Sequence, residues 1–199
     1  MQKRNFLKAL GSVTFAALAS GAGLSARASD ARAPRILFVY VTRTGHTESI
    51  GKAVRHQLGD AARVDFLRVR TVEPYPSEYK PMTQVVKAER EQGIERKITA
   101  PAVNLKDYDV VILGTPTWWH HVAQPLATWI EGAAFDGQQV LTCNSHGGGG
   151  VMHTLEDFEA LLAKQNVRVG TQLTVYADVL EDDGEVKEWL AANGLLKAK

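Results

Sequence analysis

The stretch "TRTGHT", residues 42–47, directly follows the apolar run "ILFVYV" and leads into an amphipathic segment. Thr42, Thr44 and Thr47 supply hydroxyl donors, and Gly45 permits a tight turn among them. A strand that turns this way into a helix presents free backbone N–H groups and the positive end of the helix dipole. That combination attracts an anion. No lysine is directed at it, which suits a phosphate monoester held by neutral donors. Spacing excludes two other phosphate devices. A nucleotide-hydrolysing loop needs four residues between its glycines and then Gly-Lys-Ser/Thr. Here Gly45 and Gly51 enclose five, and Lys52 is followed by Ala53. The dinucleotide pattern Gly-x-Gly-x-x-Gly is absent. A plain helix cap would account for one threonine, not three.

Two more stretches carry unusual side chains: "TPTWWHH", residues 115–121, and "NSHGGGG", residues 144–150. Trp118 and Trp119 offer flat apolar faces, but adjacent residues point opposite ways, so at most one stacks squarely on a ligand. Trp118 is the favoured one. The tandem His120 and His121 cannot easily share one ion, and neither His146 nor His153 supplies ligand spacing, so no metal site is expected. Cys143 starts no Cys-x5-Arg motif, because Gly149 stands at the arginine position, and it reads as a small buried hydrophobe.

These stretches need a scaffold, and the hydrophobic pattern supplies one. Ile36–Val41 is a continuous apolar run, as expected of a strand buried on both faces. Thr47–Leu58 follows as a helix with Ile50, Val54 and Leu58 on one face and Gly59 closing it. "RVDFLRVR", "YDVVILGTP", "QQVLTCNS" and "RVGTQLTVYA" read as four more strands. "QPLATWIEGA", Met152–Lys164 and Asp182–Ala192 read as helices. The second of these has Leu155, Phe158, Leu161 and Leu162 on its core face, and the third has Val186, Trp189 and Leu190 inward. Trp129 and Trp189 are expected in the core. Residues 71–104, rich in proline and charge with a short helix around Met82–Gln92, read as an insertion or long crossover. Alternating strands and helices predict an α/β domain. Its expected form is a doubly wound five-stranded parallel sheet of order 2-1-3-4-5, with helices on both faces. Ligands bind such sheets beyond the carboxyl ends of the strands, so the three unusual loops should meet there.

With that order of elements, "T-x-T-G-x-T" after the first strand resembles the phosphate loop of the flavodoxin-like family, whose members hold flavin mononucleotide (FMN). "LGTPTWW" before "QPLATWIE", and "GQQVLTCNSHGGGG", are similar to the loops that bracket the flavin in that family. "VEPYPSEYKPM" resembles the segment after strand two in one of its subgroups. The resemblance spans roughly residues 35–193. It implies that Thr42, Arg43, Thr44, Gly45, His46 and Thr47 wrap the FMN phosphate. Thr115, Pro116, Thr117, Trp118 and Trp119 would line one side of the isoalloxazine and the ribityl chain. Ser145, His146, Gly147, Gly148 and Gly149 would approach the other side through backbone N–H groups. A flat apolar ring suits an aromatic partner, and glycines let backbone donors come close. Many members have a glycine after the stacking aromatic, where this chain has "WWHH". The resemblance implies electron transfer, with redox proteins or quinones as partners. Two alternatives stay open: an FMN oxidoreductase of the quinone- or nitro-reductase type, with residues 71–104 and the His-rich loop shaping a substrate pocket, and a flavin-binding module without redox work.

The N-terminus reads as targeting rather than fold. Residues 1–28 carry Lys3, Arg4, Lys8 and Arg27 and no acid, and Ala9–Ala26 is an uncharged run. "ARA", residues 26–28, is a small-x-small cleavage site, and "KRNFLK" resembles the twin-arginine export signal with Lys3 at the first arginine position. The expectation is a signal peptide over 1–28, a linker over 29–34 and one domain over 35–199 in the periplasm or outside the cell. An uncleaved membrane anchor is the less favoured alternative. A twin-arginine signal implies export of the folded protein. A lone cysteine fits a domain that folds before export without a disulfide. Removing the four basic residues of the segment from 23 leaves 19 against 22 acidic residues, a balance of −3. That balance gives no reason to expect nucleic-acid binding.

Overall fold

The computed structural model describes residues 32–196, so the expected signal segment 1–28 lies outside the described residues. Five long strands form the core sheet: β1 (Arg35–Tyr40), β2 (Arg63–Arg68), β5 (Val110–Trp118), β7 (Gln139–His146) and β8 (Arg168–Tyr176). They pair in the order β2-β1-β5-β7-β8, all parallel, which is the doubly wound 2-1-3-4-5 arrangement. Side chains alternate across each strand. Ile36, Phe38 and Tyr40 therefore pack on one face with α1 (His46–Leu58) and α5 (Gly184–Ala192). Leu37, Val39 and Val41 pack on the other, with α3 (Gln124–Gly132) and α4 (Thr154–Leu162). A strand covered on both faces must be apolar at every position, which is why the strands read as unbroken runs.

Helix ends differ from the sequence reading for local reasons. The fourth helix begins at Thr154 rather than Met152, because Met152 sits at φ +48 and cannot join it. Its Leu155 is exposed, while Phe158 and Leu162 are buried. The last helix starts after Asp183, whose carboxylate accepts the N–H groups of Glu185 and Val186. Trp129 and Trp189 are both buried, and the Trp189 indole N–H donates to Thr171 O at 2.9 Å.

Residues 71–104 form an ordered crossover. It contains α2 (Tyr79–Gln92) and a short antiparallel pair, β3 (Arg70–Thr71) with β4 (Ile98–Thr99). The expected short helix is thus longer at its start, with Pro81 tolerated in the first turn. Glu89, buried on α2, accepts from the Tyr75 hydroxyl at 2.8 Å and from Arg96, so the crossover is tied to itself. Burial and the adjacent Glu89 push the Tyr75 hydroxyl well above its ordinary range.

One contact sets how α1 sits on the sheet. A Cβ at Gly114 of β5 would lie 2.9 Å from Thr47 Cγ2 and 3.0 Å from Phe38 Cζ. Glycine there lets the first turn of α1 rest directly on β5. Gly114→Ala should cost about 1–3 kcal/mol through overpacking. A lower urea midpoint with an unchanged slope checks it.

Candidate functional site

Three loops meet at the carboxyl edge of the sheet. In the first, Thr42 is buried, and its hydroxyl accepts the Gly45 N–H at 2.9 Å. Gly45 stands at φ +102, open only to a residue without Cβ, and nothing lies within 4 Å of where a Cβ would be. It starts α1 with no side-chain cap. The first helical bond is Ser49 N–H to Gly45 O at 2.9 Å, so the N–H groups of His46, Thr47 and Glu48 precede it. Thr44 is exposed beside them. Arg43 is also exposed; it donates to Ser77 O at 3.1 Å and lies over the Tyr79 ring. His46 contacts Asp178 at 2.6 Å. Arg68, half-buried at the end of β2, donates to Thr42 O at 3.0 Å and brings a cation behind the loop. A strand-end arginine leaves no motif, so the sequence did not mark it.

The second loop is a hairpin. β5 runs on to Trp118 and folds back onto β6 (His121–Val122), with Thr117 opposite Val122 and Trp118 opposite His121. The two residues of the turn, Trp119 and His120, have φ +46 and +74. Both positive values mark a turn that normally takes Asn-Gly. Trp118 is half-buried and meets the Tyr75 ring edge-on at 5.1 Å. Trp119 is exposed and stacks on its neighbour His120 at 5.7 Å. Thr115 is fully buried; its hydroxyl accepts the Ala123 N–H at 2.9 Å and donates to Pro116 O, so it braces the loop from within. His121 Nδ1 reaches Asp157 at 3.0 Å, with the His153 ring stacked at 4.9 Å and Arg90 on the same carboxylate. Burial dominates there and lowers the His121 imidazole against the pull of Asp157.

The third loop ends β7. Strand alternation sends Ser145 toward α1 and Asn144 toward α4. Ser145 Oγ meets Thr47 Oγ1 at 2.9 Å, joining the first loop to the third. Asn144 is fully buried. Its amide donates to Thr117 Oγ1 at 2.9 Å and to Gly150 O at 3.4 Å. Its carbonyl accepts from Gln172 at 2.9 Å and Thr174 at 2.7 Å. One side chain thus fixes the second loop to the third. Beyond it, His146 Nδ1 accepts the Gly148 N–H at 3.1 Å, and Gly148 sits at φ +129. Asn144 falls within "NSHGGGG", but nothing in its residue type announces four partners.

Between the loops lies a cavity of about 390 Å³. Arg43, Thr117, Trp118, Trp119, His146, Gly147 and Gly149 line it, all marked from sequence. His120, Met152 and four α2 residues (Tyr79, Met82, Thr83 and Val86) complete it; none is expected individually, though the oxidoreductase alternative gives 71–104 and the His-rich loop a part in a pocket. The α2 wall belongs to the crossover 71–104, where no apolar run points to particular residues. Among the described residues no group of three or more His, Cys, Asp or Glu side chains is arranged to hold a metal ion. Cys143 is buried, and burial pushes its thiol up, so it is no nucleophile. Asn144→Leu should destabilise the fold by on the order of 3 kcal/mol, since it strands several buried partners. Amide hydrogen exchange should quicken in both loops, 115–120 and 146–151, and not in α5.

The flavodoxin family model matches residues 35–193. A flavoprotein from Lactobacillus acidophilus NCFM, solved in complex with FMN, superposes with a TM-score of 0.63 at 18% identity, covering 79% of this chain and 99% of that one. Oxidised Flavodoxin 2 from Bacillus cereus gives 0.54 at 18%, covering 80% and 97%. At such identities the structural likeness is one of fold. The family match spans most of the sequence, and the chain belongs to the flavodoxin family.

Proposed function

We propose that this chain binds one FMN at the three-loop site and works as an electron-transfer protein in the cell envelope, with redox proteins or quinones as its partners. The observation that carries this is a single juxtaposition. The uncapped start of α1, opened by Gly45, adjoins a cavity walled by two tryptophans on one side and a glycine-rich loop on the other. The residues fit the cofactor. The N–H groups of His46, Thr47 and Glu48, with the Thr44 hydroxyl, suit a terminal phosphate. The cavity suits a flat ring larger than any side chain, and the neighbour from Lactobacillus acidophilus carries FMN on the same fold. Bound FMN supplies a ring that takes up and returns electrons. The chain's residues bind it, orient it and limit its exposure. The envelope location rests on the basic, small-residue N-terminus with its "ARA" site.

A second reading, an oxidoreductase that converts a substrate, is favoured by one observation. Tyr79, Met82 and Val86 of α2 wall the cavity, whereas a pure carrier is served by an open flavin edge. An envelope compartment is poor in nicotinamide cofactors, so a quinol or a redox protein is the fitting donor in either reading.

The purified protein should be yellow, and acid extraction with chromatography should yield FMN. FAD, or no flavin after reconstitution, would refute the proposal. The two tryptophans should separate by role. Trp118→Ala should lower the melting temperature, because the indole packs on Tyr75 and the core. Trp119→Ala should leave stability within about 0.5 kcal/mol, as for an exposed site. Bound-flavin emission, quenched by a stacked indole, then identifies the stacking residue as whichever substitution brightens it.

A further inference from the structure

We infer that His120 is the proton donor of this site, serving a two-electron acceptor whose oxygen must be protonated on reduction, a quinone-type carbonyl. This rests on the FMN reading above and goes beyond it. The starting point is the backbone. His120 holds φ +74 in a two-residue turn, next to Trp119 at φ +46. Positive φ costs a residue with Cβ on the order of 1 kcal/mol or more, and glycine avoids that cost. An imidazole that lines the cavity at a backbone conformation favouring glycine is a candidate for the site's chemistry.

The ring nitrogens show which work is open. The chain has six histidines, all among the described residues. His46 engages Asp178, His56 faces Glu181, His121 engages Asp157 and His153 engages Glu156. His146 also lines the cavity, but its Nδ1 accepts the Gly148 N–H, so that nitrogen is committed to holding the loop. Among the described residues the His120 ring nitrogens have no hydrogen-bond partner; the ring stacks near-parallel with that of Trp119, centroids 5.7 Å apart and 17° from parallel. The turn itself is anchored, because the His153 N–H donates to His120 O at 2.9 Å. The result is a fixed backbone, a ring stacked with its neighbour and, on a residue that lines the cavity, two nitrogens without a hydrogen-bond partner among the described residues. His120 is also exposed, so water can restore its proton.

The step balances simply. Reduced FMN, when bound, would supply a hydride to one carbonyl oxygen of the quinone, a flavin N–H bond breaking as that O–H bond forms, and the displaced electron pair would rest on the opposite carbonyl oxygen. Protonated His120 then gives that oxygen its ring proton: the N–H bond breaks, the O–H bond forms, and neutral imidazole is reprotonated from water. A one-electron acceptor that binds no proton has no use for this residue.

The test uses full-length protein loaded with FMN and reduced under anaerobic conditions. His120→Asn tolerates positive φ but does not titrate near neutrality, and His120→Gly relieves the backbone outright. Both should slow reoxidation by 1,4-benzoquinone about a hundredfold more than reoxidation by ferricyanide. Wild-type quinone rates should fall as pH rises and protons become scarcer, and the variants should lose that dependence. In wild type the His120 imidazole NMR signals should move when the FMN is reduced, while those of His56, at the far end of α1, stay. Equal effects on both oxidants, or an unchanged pH profile in the variants, would overturn the assignment and leave FMN binding intact. If wild-type protein takes up no FMN, the cofactor reading fails first, and the role of His120 falls with it.

Discussion

The 2.9 Å contact between the Thr47 and Ser145 hydroxyls fixes the site more than any other single interaction. It joins the first turn of α1 to the end of β7, across the strand where the chain order reverses. Thr47 reaches that point only because Gly114 carries no side chain beneath it. Once the contact is made, the helix start and the glycine-rich loop cannot move independently. Asn144, one residue away and on the opposite face, makes the second joint by holding Thr117 and Gly150 O. The period-two alternation of one strand thus supplies two ties, one on each face of the sheet.

These ties lie where apolar packing ends. The sheet core is held by side chains such as Phe38, Ile112 and Leu141, which need only shape and volume. At the strand ends the backbone must turn outward, and its polar groups must be satisfied within the loops. Buried Thr42, Thr115, Thr117's partner Asn144 and Ser145 do this with specific hydrogen bonds. Fully satisfied polar networks are rigid, and a rigid set of donors binds a ligand with little ordering cost. The Trp119–His120 turn is the exception, since it carries strain instead of relieving it.

The sheet and its order were legible because strands buried on both faces leave long apolar runs that periodicity detects. The three loops were legible because hydroxyls, tryptophans and glycines cluster at strand ends without any packing need. Less visible was whatever depends on a partner far along the chain. Arg68 gripping Thr42 O spans β2 and the first loop, and Glu89 with Tyr75 and Arg96 spans the crossover. The hairpin after β5 was hidden because its turn lacks the Asn-Gly signal. Leu155 misled because a helical pattern fixes spacing but not which neighbours cover the face.

The central claim is that the first loop holds a phosphate. The most direct test is calorimetric titration of flavin-free protein with FMN and, separately, with riboflavin, which lacks only that phosphate. Each hydrogen bond to a charged acceptor contributes about 1.5–3 kcal/mol, so two of them predict that FMN binds at least about a hundredfold more tightly. In Thr44→Ala protein, which loses an exposed hydroxyl beside the helix start and leaves the Thr47–Ser145 tie intact, the ratio should shrink while riboflavin binding changes little. Equal affinity for the two ligands in the wild-type protein would contradict the account.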